Sequence, residues 1–157
     1  MRCRKALDHD FEHIYMMGYD EWADGLEVEE YLKSCFQSQK YKKGNWWVVE
    51  DNDEVVSSLI VYTLPDSNYG IGPLATTLNH RNKGYASYLL NYVTNFLRKG
   101  SSGIFLYSDI ATSFYERRGF KEMPKEFQRY EKSKYMYFGE QKIDFNQGGH
   151  LVRHDYF

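Results

Sequence analysis

"LATTLNHRNKGYASYLL", residues 74–90, begins with the pattern of a strand and ends with that of a helix, and the turn between them carries Arg81, Lys83 and Gly84. The first backbone N–H groups of a helix have no partner within it, and the helix dipole adds partial positive charge there, so this end suits a phosphate group. Gly84 lets the backbone curl or approach a ligand closely, and Ala86 adds almost no side chain beside it. Arg81 and Lys83 bring charge of the matching sign. Taken alone, the same turn also fits a solvated polar connection with no ligand.

Working outward, the helix is expected from about Gly84 to Lys99. It buries Ala86, Leu89, Leu90, Val93, Phe96 and Leu97, places Arg98 and Lys99 at the negative end of its dipole, and stops at Gly100. "GIGPLATTL" before it and "IFLYS" after it read as strands, which makes a β-α-β unit. Gly72 and Pro73 predict a broken ladder in the first of these strands, because proline donates no hydrogen bond and a strand glycine often marks a bulge; an ordinary edge strand is the alternative. Further upstream, "MRCRKAL" is a short strand, followed by a helix with Asp8 or Asp10 as its cap and a second helix after Gly25 that buries Val28, Tyr31, Leu32, Cys35 and Phe36. "NWWVVED" and "EVVSSLIVYTL" form a hairpin across "EDNDE". Downstream, "ATSFYERRGF" is a short helix ended by Gly119, and "KYMYF" a late strand; residues 139–157 read either as a C-terminal extension or as a final hairpin turning at "NQGG".

The bulk properties exclude whole classes. A chain of 157 residues is sized for one domain, 1–157, with a real core. The formal net charge of −2 argues against a nucleic-acid binder or a polybasic membrane anchor, both of which need a strong positive field. The longest apolar run, "VVSSLIVYTL", is too short to span a bilayer, and "MRCRKALDHD" lacks the apolar core of a signal peptide. Cys3 and Cys35 show no metal-ligand spacing, so a reducing compartment and a cytoplasmic location are expected.

With Arg81, Gly84 and Ala86 at the spacing Arg-x-x-Gly-x-Ala between a strand and a helix, residues 74–90 resemble the acetyl-CoA-binding motif of the GCN5-related N-acetyltransferase (GNAT) family. "SDIATSFYERRGF" resembles that family's second landmark, with Tyr115, Gly119 and Phe120 in the expected places. The resemblance extends over residues 1 to roughly 138. It implies an α/β single-domain fold: a mixed, mostly antiparallel central sheet of about six to seven strands, flanked by about four helices, with the fourth and fifth strands splayed apart. It also implies acetyl-CoA as co-substrate, its pantetheine arm on Leu74, Ala75 and Thr76 and its diphosphate on the amides of Asn82, Lys83, Gly84, Tyr85, Ala86 and Ser87, with Arg81 and Lys83 alongside. Ser108 stands where an Asn often precedes the tyrosine and is placed with the cofactor residues.

Acetyl transfer from a thioester to an amine needs a neutral amine, a donor to the oxyanion and a proton for the leaving thiolate. The resemblance makes Tyr115 the general acid, whereas composition alone makes it one of 15 tyrosines, most of them packing residues. The backbone N–H near Ala75 is the expected oxyanion donor. For the base, Asp109, at the end of the fifth strand, and Glu50 or Asp51, at the end of the second, are the candidates, with His80 on the phosphate side. Asn79 and Leu78 replace a common Glu and Pro, and Asn82 a usual Gly, which leaves cofactor binding intact and loosens the base and substrate class. Asp20, Glu21, Asp24, Glu27, Glu29 and Glu30, with no base among them, form an acidic run that would attract a cationic amine, or else a solvated helix face.

Two other readings compete. His9 and His13, and again His150 and His154, are four apart and could share a metal on a helix, but the zincin order of His and Glu is not met and no metal is expected. A CoA-binding or sensing module of the same fold, acting through a protein partner, would keep the cofactor site without the chemistry. The tyrosine-bearing tail "HLVRHDYF" could add a strand to a second copy and form a homodimer.

Overall fold

The computed structural model describes residues 1–140 and 157. Seven strands, β1 (Arg2–Lys5), β2 (Asn45–Asp51), β3 (Glu54–Leu64), β4 (Asn68–Thr76), β5 (Gly103–Ser108), β6 (Phe120–Glu122) and β7 (Lys134–Phe138), join in one mixed sheet in the order β1-β2-β3-β4-β5-β7-β6. The helices are α1 (Phe11–Met16), α2 (Tyr19–Trp22), α3 (Val28–Gln37), α4 (Gln39–Lys43), α5 (Tyr85–Leu97) and α6 (Ser113–Glu116). Four of the six are between one and two turns long, so α3 and α5 are the only long helices among the described residues. The expected hairpin within 139–157, its dimer-forming tail and the pair His150 and His154 fall outside the described residues, apart from Gly139, Glu140 and Phe157. No helix among those described is long and apolar enough to cross a membrane.

Contacts divide the chain into two compact units, Met1–Val61 with Pro73–Val93, and Tyr62–Gly72 with Thr94–Phe157. In the first, β1 pairs antiparallel with β2, and β2 with β3, through a turn in which Asn52 and Asp53 both take positive φ (49° and 63°). That is the backbone a two-residue hairpin needs, and Asn and Asp tolerate it. Trp46, Trp47, Val48 and Val49 on β2 and Val55 to Val61 on β3 are buried along continuous runs, as strands covered on both faces should be. Leu89, Leu90 and Val93 of α5 are fully buried, and Tyr31 and Cys35 of α3 nearly so.

Two expectations about packing are corrected. Phe96 is 55% exposed, as are Phe36 (46%) and Val28 (43%), because each lies at the edge of its helix's apolar stripe rather than on its centre line. Asp10 stands at the N-cap position of α1, but its side chain makes no bond to that helix. It is 4% exposed and takes Arg4 (2.6 and 3.2 Å) and the Leu7 N–H (2.7 Å), a fully paired buried charge.

In the second unit β4 runs parallel to β5, and β7 lies antiparallel between β5 and β6. Its core gathers Phe105, Met123, Phe127 and Tyr135 with Leu64, Tyr107, Tyr137 and Phe157, and Tyr107 stacks on Tyr135 at 4.5 Å. Gly119, at φ +88°, ends the turn after α6 as expected, and a side chain there would also strike Phe138.

Candidate active site

The parallel ladder of β4 and β5 covers Asn68 to Ile71 against Gly103 to Leu106 and stops there, although β4 continues to Thr76 and β5 to Ser108. Gly72 and Pro73 stand at this break. Proline has no N–H to give, so the strand loses its ladder where the sequence predicts. Beyond it, the carbonyl of Ala75 accepts a hydrogen bond from the Ser57 hydroxyl (2.8 Å), and the Thr76 hydroxyl lies 3.0 Å from the same group. Ala75 and Thr76 are therefore held from β3 by a side chain.

The turn that follows is pinned on both sides. Asn82 (φ 62°) and Gly84 (φ 87°) both take the left-handed conformation, which is how Asn substitutes for a glycine here. A Cβ on Gly84 would meet nothing within 4 Å, so this glycine serves backbone shape, and the space beside it is open. Asn82, Lys83 and Gly84 are exposed, while Tyr85, Ala86 and Ser87 are half-buried in the first turn of α5. The first helical bond runs from the Tyr88 N–H to the Gly84 carbonyl (2.9 Å), so the amides of Gly84, Tyr85 and Ala86 precede the intrahelical pattern. Tyr85 donates its phenol proton to Asp51 (2.5 Å), which holds that carboxyl below its ordinary range and raises the phenol. His80 contacts Thr77 (3.0 Å) through Nδ1.

Arg81 is used in a way the sequence does not foretell. Its guanidinium forks onto Asp20 (2.7 and 2.8 Å), its Nε donates to the Thr76 carbonyl (3.0 Å), and Met17 supplies a further carbonyl at 3.4 Å. The pair lowers the Asp20 carboxyl and raises Arg81, chiefly through those hydrogen bonds. Arg81 thus straps the end of β4 to α2, and Asp20 leaves the acidic run as a paired group. Lys83 remains as an exposed cation on the turn itself.

The candidate bases differ in their surroundings. Glu50 accepts from Arg4 (2.8 Å) and Arg2 (2.8 Å), which lowers its proton affinity and makes it a poor base. Asp109 is exposed and accepts from the Ser133 hydroxyl. Ser108 is buried and donates to the Ile110 carbonyl (2.9 Å), shaping the end of β5. Tyr115, in α6, is 9% exposed, edge-on to Phe114 (5.0 Å) and Phe120 (6.0 Å); burial first, and then the charge of Asp109, push its phenol up to about 12. Of the histidine pair within the described residues, His13 Nε2 lies 2.6 Å from the Val55 carbonyl and His9 is 76% exposed. No group of three His, Cys, Asp or Glu among the described residues is disposed to hold a metal.

A family model described as an acetyltransferase (GNAT) domain matches residues 42–122, more than half of the chain. The chain belongs to the GNAT acetyltransferase family. No curated protein sequence matches it. Solved GNAT structures share its fold at low identity. A spermidine N-acetyltransferase chimera of Vibrio cholerae SpeG and hSSAT superposes with a TM-score of 0.66 at 17% identity, covering 88% of this chain and 95% of that one. The ribosomal-protein-S18-alanine N-acetyltransferase of Escherichia coli gives 0.66 at 13%, covering 94% and 98%. An aminoglycoside 6'-N-acetyltransferase complexed with coenzyme A gives 0.65 at 14%, covering 87% and 96%. At these identities the likeness establishes the GNAT fold, with its seven-stranded mixed sheet and β4 parallel to β5.

The sequence missed the groups that act at a distance along the chain. Asp20 is 61 residues from Arg81, and Ser57 is 18 from Ala75, so no local pattern marks either pair. A lone acid in an acidic run carries no signal that it, rather than its neighbours, meets the arginine.

Proposed function

We propose that this GNAT protein is an acetyl-CoA-dependent N-acetyltransferase that passes the acetyl group to a primary amine by direct attack in a ternary complex. The observation that carries the reading is the ladder ending at Ile71 and Leu106, followed by the left-handed turn at Asn82 and Gly84 into α5. A broken strand frees backbone groups between Leu74 and Thr76, other than the Ala75 and Thr76 carbonyls that Ser57 and Arg81 take, for an extended amide-bearing chain, and the turn suits a diphosphate. Amine acceptors named for relatives of the same fold, and coenzyme A bound in one of them, support the class of reaction. Asn82 to Ser87 would hold the diphosphate by their amides, with Lys83 as its counter-charge and Arg81 as the strap that keeps the turn in place. Ser108 would act through the shape of the β5 terminus.

In the reaction the amine lone pair attacks the thioester carbon, the oxyanion is met by a backbone N–H near Ala75, and the C–S bond breaks to release the thiolate. The amine gives up one proton and the thiolate gains one, so acid and base balance. Tyr115 is the proposed acid. A phenol near 12 gives its proton to a thiolate of ordinary pKa, about 8.5, only against a gradient of roughly 5 kcal/mol. As the acid it holds the departing sulfur by a strong hydrogen bond, and any proton it passes to the thiolate is restored by the one the base takes from the amine, so in all one proton moves from nitrogen to sulfur. Asp109 is the proposed base, since two guanidinium groups hold Glu50. The cysteines, both free, with thiols raised by burial, fit a reducing cytoplasm.

The test is CoA release from acetyl-CoA across a panel of primary amines, wild type against Tyr115→Phe. Loss of one charge-assisted hydrogen bond predicts a kcat lower by about 10- to 100-fold with KM for acetyl-CoA little changed. Tight coenzyme A binding with no amine-dependent turnover would replace this reading with the CoA-binding module.

A further inference from the structure

An aromatic recess lies within the first unit, on the side of β4 that carries α1 to α4. Its inner end, about 10 Å³, is lined by Ile14, Tyr15, Trp22, Tyr31, Tyr41 and Trp46 with Pro73 and Ala75 of β4, and by Ser58. An outer chamber of about 300 Å³ shares Trp22, Tyr31, Tyr41 and Pro73, and adds Leu26, Ser34, Cys35, Ser38 and Lys40. The rings brace one another: Tyr15 stacks on Tyr41 at 5.6 Å, and Trp46 meets Tyr41 edge-on at 5.3 Å and Tyr15 at 6.0 Å. The walls are thus set before any ligand arrives.

Several polar groups of these walls are committed elsewhere. The Tyr31 phenol donates to the Tyr15 carbonyl (3.0 Å), the Trp46 indole N–H to the Tyr41 carbonyl (3.2 Å), Ser34 to the Tyr31 carbonyl (2.7 Å), and Ser38 accepts from the Tyr41 N–H (3.2 Å). Ser58 is 0% exposed and its hydroxyl has no hydrogen-bond partner among the described residues. A buried hydroxyl left so costs free energy that an ordinary core does not tolerate without reason.

We infer that the recess is the acceptor site, and that it selects a primary amine carried on an apolar, preferably aromatic, body, with the amine against the Ser58 hydroxyl and the body between Trp22, Tyr31 and Tyr41. This rests on the acetyltransferase reading for the direction of the amine, toward Ala75, where that reading puts the thioester. Size supports it, because the inner end admits a group no larger than a water molecule, which an amino group is. Burial supports it as well: an apolar enclosure disfavours the ammonium form, so the amine arrives neutral, the form that attacks. The segment that supplies Trp22 and Leu26 also carries the exposed acids Glu21, Asp24 and Glu27, which draw the ammonium from solution.

The experiment compares 2-phenylethylamine, n-hexylamine and spermidine as acceptors at saturating acetyl-CoA, with wild type, Ser58→Ala and Trp22→Ala. The expected result is a kcat/KM for 2-phenylethylamine at least tenfold above that for spermidine. Loss of the single hydrogen bond predicts a KM for 2-phenylethylamine about tenfold higher in Ser58→Ala, with kcat and the KM for acetyl-CoA nearly unchanged. Removing an unpaired buried hydroxyl also predicts that ligand-free Ser58→Ala melts a few degrees higher than wild type, the opposite of a merely structural serine. Spermidine as the best acceptor, or an unchanged amine KM in both variants, overturns the proposal while leaving the enzyme reading intact. Should acetyl-CoA fail to bind at all, calorimetry of 2-phenylethylamine alone decides: binding weakened by Ser58→Ala upholds the recess without the chemistry, and equal or absent binding in both overturns it.

Discussion

Arg81 offers the sharpest test of how the turn is built. Two opposing roles are open to its guanidinium: a strap that holds the turn through Asp20 and the Thr76 carbonyl, or a counter-charge for a bound diphosphate. The contacts favour the strap. The fork onto Asp20 (2.7 and 2.8 Å) joins side chains each about one-third exposed, so solvent screens it and about 1 kcal/mol is the reasonable contribution. The bond from Nε to the Thr76 carbonyl (3.0 Å) adds about 1 kcal/mol, and the 3.4 Å contact to Met17 little. Arg81→Ala should therefore destabilise by about 2 kcal/mol, a fall in Tm of roughly 4–8 °C for a chain of this size. Asp20→Ala alone should cost about 1 kcal/mol in wild type and close to nothing when Arg81 is already alanine. Urea melts of the four proteins give that coupling, and coenzyme A titrations of the same set give the second reading. A strap predicts that Asp20→Ala weakens coenzyme A by loosening the turn. A counter-charge predicts that it tightens coenzyme A by removing a competing acid. Tighter binding in Asp20→Ala together with a coupling below about 0.3 kcal/mol, within ordinary additivity, would refute the reasoning.

Two further expectations use other parts of the same unit. Gly84→Ala should lower stability by about 1–2 kcal/mol, since φ of +87° and not crowding is what demands glycine; Gly84→Asn should cost less, as Asn82 shows at φ 62°, and thermal melts of the two variants make the comparison. The Asp10 carboxyl is raised by burial, but Arg4 and the Leu7 N–H outweigh this and hold it below its usual range. A group depressed in the folded state contributes its full stability above the unfolded value near 3.9 and loses it as pH falls through the lower folded one, so denaturant melts should show wild type losing stability below about pH 4. Asp10→Asn should be less stable at pH 7 and show a flatter acid limb; equal slopes would mean the acid sensitivity resides elsewhere.

What was legible in the sequence follows from local physics. The turn around Gly84, the helix after it, the hairpin at Asn52 and Asp53 and the break at Pro73 each depend on a residue's own backbone or on spacing along one element, and such preferences are written where they act. The family resemblance added order, because Arg81, Gly84, Ala86 and Tyr115 keep their spacing in the chain. Helix faces were read less well: Phe96 and Phe36 fit the apolar period yet lie at its margin, and only the neighbouring elements determine how wide a stripe is covered. The partner of Arg81 and the unpaired hydroxyl of Ser58 belong to the tertiary structure alone. Asp20 and Arg81 meet across 61 residues, and Ser58 differs from Ser57 only in which face of β3 it occupies and what packs there. Hydrogen-bond satisfaction is a property of the folded surroundings, so a serine's type says that it can bond, and only the packed recess decides that it has no partner among the described residues.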